Sequence, residues 1–127
     1  MKAFLRNYRQ SPRKVRLVAD LVKGKTVGQA LVLLDLNTKR ANSAIRKLIV
    51  SAAANAKHNQ KTEDKELFIK ELRVDGGPVI KRSMPRARGS AFQILKRTSH
   101  VMLVLDEYVP RVKPARGGKA KTAAAKK

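Results

Sequence analysis

A chain of 127 residues supports one compact domain with little left for a second, and its 30 basic against 9 acidic residues leave a net charge of +21. Self-repulsion on that scale opposes a compact state unless a polyanion neutralises it, so nucleic acid is the leading partner and an anionic membrane surface a distant second. With no cysteine, disulfides and thiolate zinc sites are excluded, and no apolar run reaches the length of a membrane span. No apolar signal core opens the chain, so a cytoplasmic protein is expected. Aromatic residues make up 4%, with no tryptophan, too few for a large base-stacking platform.

Residues 1–10 alternate loosely and read as a short strand or extended arm. Ser11-Pro12 predicts a helix start, with a capping hydroxyl and proline at the first helical position; Val15, Val18 and Val22, with Leu17 and Leu21, follow at helical spacing and Gly24 supplies a stop. Thr26 and Gln29 have capping-box spacing, and Val27, Ala30, Leu31 and Leu34 form the stripe of a second short helix. Asn37 or Thr38 can cap a third helix running to about Lys57. Its stripe is Ala41, Ala44, Ile45, Leu48, Ile49, Ala52 and Ala56, small enough for close packing.

After the polar stretch HNQKTEDKE the period becomes two. Leu67 and Ile69, then Leu72 and Val74, alternate in phases offset by one residue, which predicts a strand with a bulge near Lys70-Glu71. Asp75 to Pro78, DGGP, reads as a break or sharp bend rather than a mid-sheet position. Strand character returns from Ala91 to Leu105, ending in HVMLVLDEYV, apolar enough for burial on both faces. Residues 1–108 are expected to form a single domain. The last segment, 109–127, has no periodicity and is rich in Lys, Ala, Gly and Pro; it reads as a basic disordered tail.

Lys81 to Phe92, KRSMPRARGSAF, carries four cations and no anion at what reads as the turn of a hairpin. Taking 72–85 and 90–104 as its arms, ~3.3 Å per residue gives each a length of about 45 Å. A domain of this size has a radius of gyration of ~13 Å and is roughly 35 Å across, so the far end must project. No acid occurs between Gly76 and Leu105, while Lys81, Arg82, Arg86, Arg88, Lys96 and Arg97 all fall inside. An isolated ribbon of that length is marginal in water; phosphate backbone would both neutralise it and pack against it. Gly89 allows the turn, and Pro85 removes a donor where no ladder partner is needed.

A second acid-free cluster lies in residues 1–19: Lys2, Arg6, Arg9, Arg13, Lys14 and Arg16. Arg13 and Lys14 stand in the first turn of the predicted helix, where the macrodipole disfavours cations and a phosphate would be welcome. Lys39, Arg40, Arg46 and Lys47 are weaker candidates, because a long helix needs a polar face anyway.

His58 and His100 are far apart and have no cysteine or dense carboxylate neighbours, so neither is a good metal ligand. Nucleotide-binding, zinc-protease and nucleophile-elbow motifs are absent, and no paired carboxylates suggest an enzyme. On the residues alone, folded RNA fits best. A DNA-bending protein with a basic β-arm in the minor groove is the alternative, and would favour a dimer.

SPRKVRLVADLVKGK (Ser11 to Lys25), SAAANAKHN (Ser51 to Asn59) and VDGGPVIKRSMPRARGSAFQILKRTSH (Val74 to His100) resemble blocks of the large-subunit ribosomal protein family numbered twenty-two, over about residues 3–106. The resemblance implies an α+β fold: three helices packed on a small antiparallel sheet, with a long protruding β-hairpin at about 72–104. It implies binding to large-subunit ribosomal RNA, support of subunit assembly, and a single copy per ribosome among other large-subunit proteins. No cofactor and no membrane enter. Arg6, Arg9, Arg13, Lys14, Arg16, Lys81, Arg82, Arg86, Arg88, Lys96 and Arg97 would meet the RNA. The tip, Met84, Pro85, Arg86, Ala87, Arg88, Gly89 and Ser90, would line the polypeptide exit tunnel beside the nascent polypeptide. Two positions depart from the family pattern: Gly76, where an acid is common, and Ser90, where an arginine is common.

Overall fold

Two structural periods divide the chain, and the elements follow them. The computed structural model describes residues 1–60 and 67–107: β1 (Lys2–Tyr8), α1 (Pro12–Val22), α2 (Val27–Leu36), α3 (Ala41–Gln60), β2 (Leu67–Pro85), a short 3-10 turn (Ala87–Gly89) and β3 (Ala91–Glu107). The fold is α+β, three helices on a three-stranded antiparallel sheet of order β1-β3-β2, with β2 and β3 continuing outward as a long hairpin. The tail expected at 109–127 lies outside the described residues.

Each helix buries one stripe, but on α1 the expected Leu17 and Leu21 do not join it: they sit beside the valines on the solvent side, 67% and 38% exposed. Val15, Val18 and Val22 of α1 meet Val27, Ala30 and Leu34 of α2 and Ile45, Ile49, Ala52 and Ala56 of α3 in a single core. Alanines at 41, 52, 53 and 56 keep the buried side of α3 thin, so it can pack closely. Against them lie Leu67, Ile69, Leu72 and Val74 of β2 and Val101, Leu103 and Leu105 of β3.

Helix boundaries depart from expectation at two caps. Ser11 occupies the N-cap of α1 with extended backbone, but its hydroxyl makes no capping hydrogen bond; its carbonyl accepts from Lys14 and Val15 instead. Thr26 does cap α2, accepting from the Gln29 N–H at 3.4 Å. The third helix begins at Ala41, later than a cap at Asn37 or Thr38 would place it. Asn37 Oδ1 accepts from the Lys39 N–H at 3.1 Å, and Asn42 Nδ2 donates to the carbonyls of Leu34 and Asn37, which organises the α2–α3 turn from inside the next helix.

The bulge predicted near Lys70-Glu71 is present as a register shift between Ile69 and Glu71. Its cause is visible on the sheet edge: Ile69 donates to Lys25 O at 2.9 Å and accepts from Gly24 N at 3.0 Å, so the α1–α2 linker takes one residue of β2 for itself. Gly24 makes that approach with φ +75.

Two strand expectations need correction. DGGP does not interrupt the chain as a bend: β2 runs through it, and the irregularity is absorbed as a second register shift between Gly76 and Val79. A Cβ on Gly77 would lie 2.5 Å from Thr98 Oγ1, so β2 and β3 meet there more closely than any larger residue allows. Thr98 Oγ1 in turn donates to Pro78 O at 2.7 Å, giving the bulged segment a partner. The end of β3 is buried on one face only. Val101, Leu103 and Leu105 face the helices, while Met102 and Val104 are half-buried, because the helices cover a single side of the sheet.

Candidate nucleic-acid interface

Beyond the Gly76–Val79 bulge the hairpin leaves the body. Residues 81–97 are exposed throughout, and the ladder continues without further shift from Val79↔Arg97 to Pro85↔Ala91. At ~3.3 Å per residue this free portion reaches roughly 20 Å. The turn closes with Arg86 N–H donating to Ser90 O at 2.8 Å and Ser90 N–H to Ala87 O at 3.3 Å. Gly89 adopts φ +70, as a turn glycine should, and Arg88 before it also lies in the left-handed region, at φ 59. An arginine held there is a feature that composition alone does not announce.

Register fixes which side chains share a face, since directly opposed residues point the same way. Ile80↔Lys96, Arg82↔Ile94 and Met84↔Phe92 fall on one face; Val79↔Arg97 and Lys81↔Leu95 fall on the other. Each face therefore carries two cations beside exposed apolar side chains. At the tip, the Arg86 guanidinium sits 5.8 Å from the Phe92 ring centroid. A ribbon charged on both faces suits an environment that surrounds it rather than a surface on which it lies flat.

Among the described residues no carboxylate forms an ion pair with this element. The ion pairs among the described residues are Arg46–Asp35, Lys70–Asp106 and Arg73–Asp75, at 2.8, 2.7 and 2.9 Å, and all belong to the body. Lys81, Arg82, Arg86, Arg88, Lys96 and Arg97 take part in none of them. The Lys70 ammonium, hydrogen-bonded to Asp106, holds that carboxyl below its ordinary value, assisted by the Glu107 N–H, and the same bond raises Lys70.

The body cations separate into distinct locations. Arg9 and Lys14 converge with Lys96 and Arg97 on a cleft of about 780 Å³ at the root of the hairpin. Arg40, which the sequence groups with a helix's solvated face, joins them there; it precedes α3 rather than lying within it. Arg46, by contrast, is paired with Asp35 as a polar-face residue would be. Arg6 lies apart, in a depression with Arg73, Asp75 and His100. Arg13 is exposed on the first turn of α1. Arg16 is turned to the sheet: its Nε and Nη2 both donate to Val74 O, at 3.1 and 2.9 Å, fastening α1 to β2.

His100 is structural. Its Nδ1 accepts from the Asn7 N–H at 3.1 Å, where β1 bulges and Asn7 takes φ 54. Among the described residues no group of three His, Asp or Glu side chains could hold a metal, and no helix is long and apolar enough to cross a membrane.

The family profile of ribosomal protein L22p/L17e matches residues 3–106. Large ribosomal subunit protein uL22 of Herpetosiphon aurantiacus is 52% identical over 106 residues, covering 84% of this chain and 94% of that protein. Residues 3–106 include all three helices, all but the outermost residues of the sheet and the whole projecting hairpin, and on this match the chain belongs to the ribosomal protein L22p/L17e family.

Proposed function

We propose that the chain binds large-subunit ribosomal RNA through its projecting hairpin and the cationic flank of the body, supports folding of that RNA during subunit assembly, and lines the polypeptide exit tunnel with residues 84–90. As a family member it is a non-enzymatic structural constituent of the large ribosomal subunit, at work in the cytoplasm. The observation that carries the finer reading is the exposed ribbon of residues 81–97, cationic on both faces and without a carboxylate partner among the described residues.

Arginine forks match phosphate oxygens bidentately, and each neutralised phosphate releases counterions. A two-stranded ribbon is thin enough to be enclosed by folded RNA, and enclosure presents phosphates to both faces at once. The exposed Phe92, Ile94 and Leu95 then gain packing partners that water does not supply. The tip is narrow, with Ala87, Gly89 and Ser90 adding little bulk, which suits the border of a tunnel carrying a nascent polypeptide. One copy per ribosome, beside other large-subunit proteins, completes the reading.

The test is the salt dependence of binding to folded large-subunit RNA. Replacing Lys81, Arg82, Arg86 and Arg88 together with Ala should lower the log–log slope by up to about 0.9 for each phosphate that is no longer neutralised. A slope equal to that of the unaltered protein would show that the hairpin does not meet the RNA.

A further inference from the structure

The cleft at the root of the hairpin is lined from both the body and the hairpin. Arg9, Lys14 and Arg40 come from the body; Lys96 and Arg97 stand on β3 just beyond the bulge where the hairpin departs. Among the described residues none of the five forms an ion pair and no acid lines the cleft. The Ser11 hydroxyl, also on its wall, has no capping bond to make.

Between these two groups the ladder skips. Gly76 pairs with Ser99 and Val79 with Arg97, so Gly77 and Pro78 interrupt the register opposite Thr98. A bulge of this kind sets a local twist, and beyond it the ribbon has no layer of helices against it. Across that joint five like-charged side chains line one cleft.

We propose that the cleft takes a phosphodiester group of RNA, and that its occupation locks the angle between hairpin and body. The inference rests on the RNA-binding reading above and assigns a separate task to one part of it: the hairpin supplies reach, the cleft supplies direction. A bridging phosphate converts repulsion across the joint into charge-assisted hydrogen bonds from both sides of it.

The chain has no cysteine, so Ser51→Cys on α3 and Ala87→Cys at the tip, both exposed positions, allow a spin-label pair to report the hairpin's direction. Inorganic pyrophosphate is titrated into the free, full-length protein, with sodium chloride at equal ionic strength as the comparison. The distance distribution is expected to narrow with pyrophosphate and to keep its width in chloride. In K14Q/R40Q, whose two side chains are exposed, pyrophosphate affinity should fall about tenfold or more and the narrowing should vanish at the same concentration. An unchanged width in pyrophosphate, an equal narrowing in chloride, or an equal narrowing in the double variant would each overturn the proposal. Failure of the underlying RNA-binding reading is a different result, an unchanged salt slope in the four-alanine hairpin variant, and is read without pyrophosphate.

Discussion

The body and the hairpin are made from the same two strands but held by different forces. Up to Val74 on β2 and from Val101 on β3, alternate side chains sink into a core shared with three helices. Past the bulge the same ladder continues, and from Lys81 to Arg97 every residue is exposed to solvent. Backbone pairing alone leaves a two-stranded ribbon marginal; what differs is the apolar layer on one side and its replacement by cations that have no ion-pair partner among the described residues. The contrast teaches that strand length here is not set by the domain's own core, since the ladder runs well past the last buried side chain.

The contrast should break most visibly in stability. Leu103, fully buried on the central strand, is expected to cost about 2–5 kcal/mol when replaced by Ala, measured by denaturant unfolding, while leaving the RNA salt slope unchanged. At the joint, Gly77→Ala places a methyl against Thr98 and should cost about 1–3 kcal/mol, with the hairpin's direction altered as well. On the hairpin, Phe92→Ala removes only an exposed ring and its arginine neighbour's stacking surface, so unfolding should shift by no more than about 1 kcal/mol. RNA affinity should nonetheless fall; a destabilisation as large as that of the core variant would erase the distinction between the two regions.

The smallest expected effect is electrostatic. Asp106 has a lowered pKa when folded, so its contribution is present above the ordinary carboxylate range and is lost as pH falls through the folded value. Lys70 is raised, so its contribution is present below the ordinary lysine range and is lost as pH rises through the folded value. Thermal unfolding of Asp106→Asn should therefore differ from the unaltered chain between about pH 4 and pH 10 and converge with it outside that window. Both groups are exposed, and salt should erase the difference.

Much of this division is legible in the sequence. A phase slip in apolar alternation marks the bulge after Ile69, because a skipped residue inverts every side chain beyond it. The acid-free run after Gly76 marks the ribbon that leaves the body. Less legible is anything settled by distant chain segments. Ser11 has the right residue type for a cap and makes none, and Arg16 is one basic residue among six until the fold brings Val74 O within its reach. Arg40 looks like helix surface only while α3 is thought to start before it; three residues of difference in the boundary move it to the cleft. The DGGP stretch misleads for a similar reason. Glycine and proline usually end strands, but here Thr98 and His100 across the ladder need the room that Gly77 leaves.

The position of β1 bears on how the molecule assembles itself. Among the described residues this first strand is hydrogen-bonded into the sheet through β3, with Lys2 opposite Val104 and Met1 exchanging backbone bonds with Leu105. The sheet therefore closes only by bringing together chain segments some hundred positions apart, the kind of non-local pairing that makes folding slow compared with helix formation. Three helices can form locally while a strongly cationic chain waits for its last strand, and during that interval any nearby polyanion can compete for it.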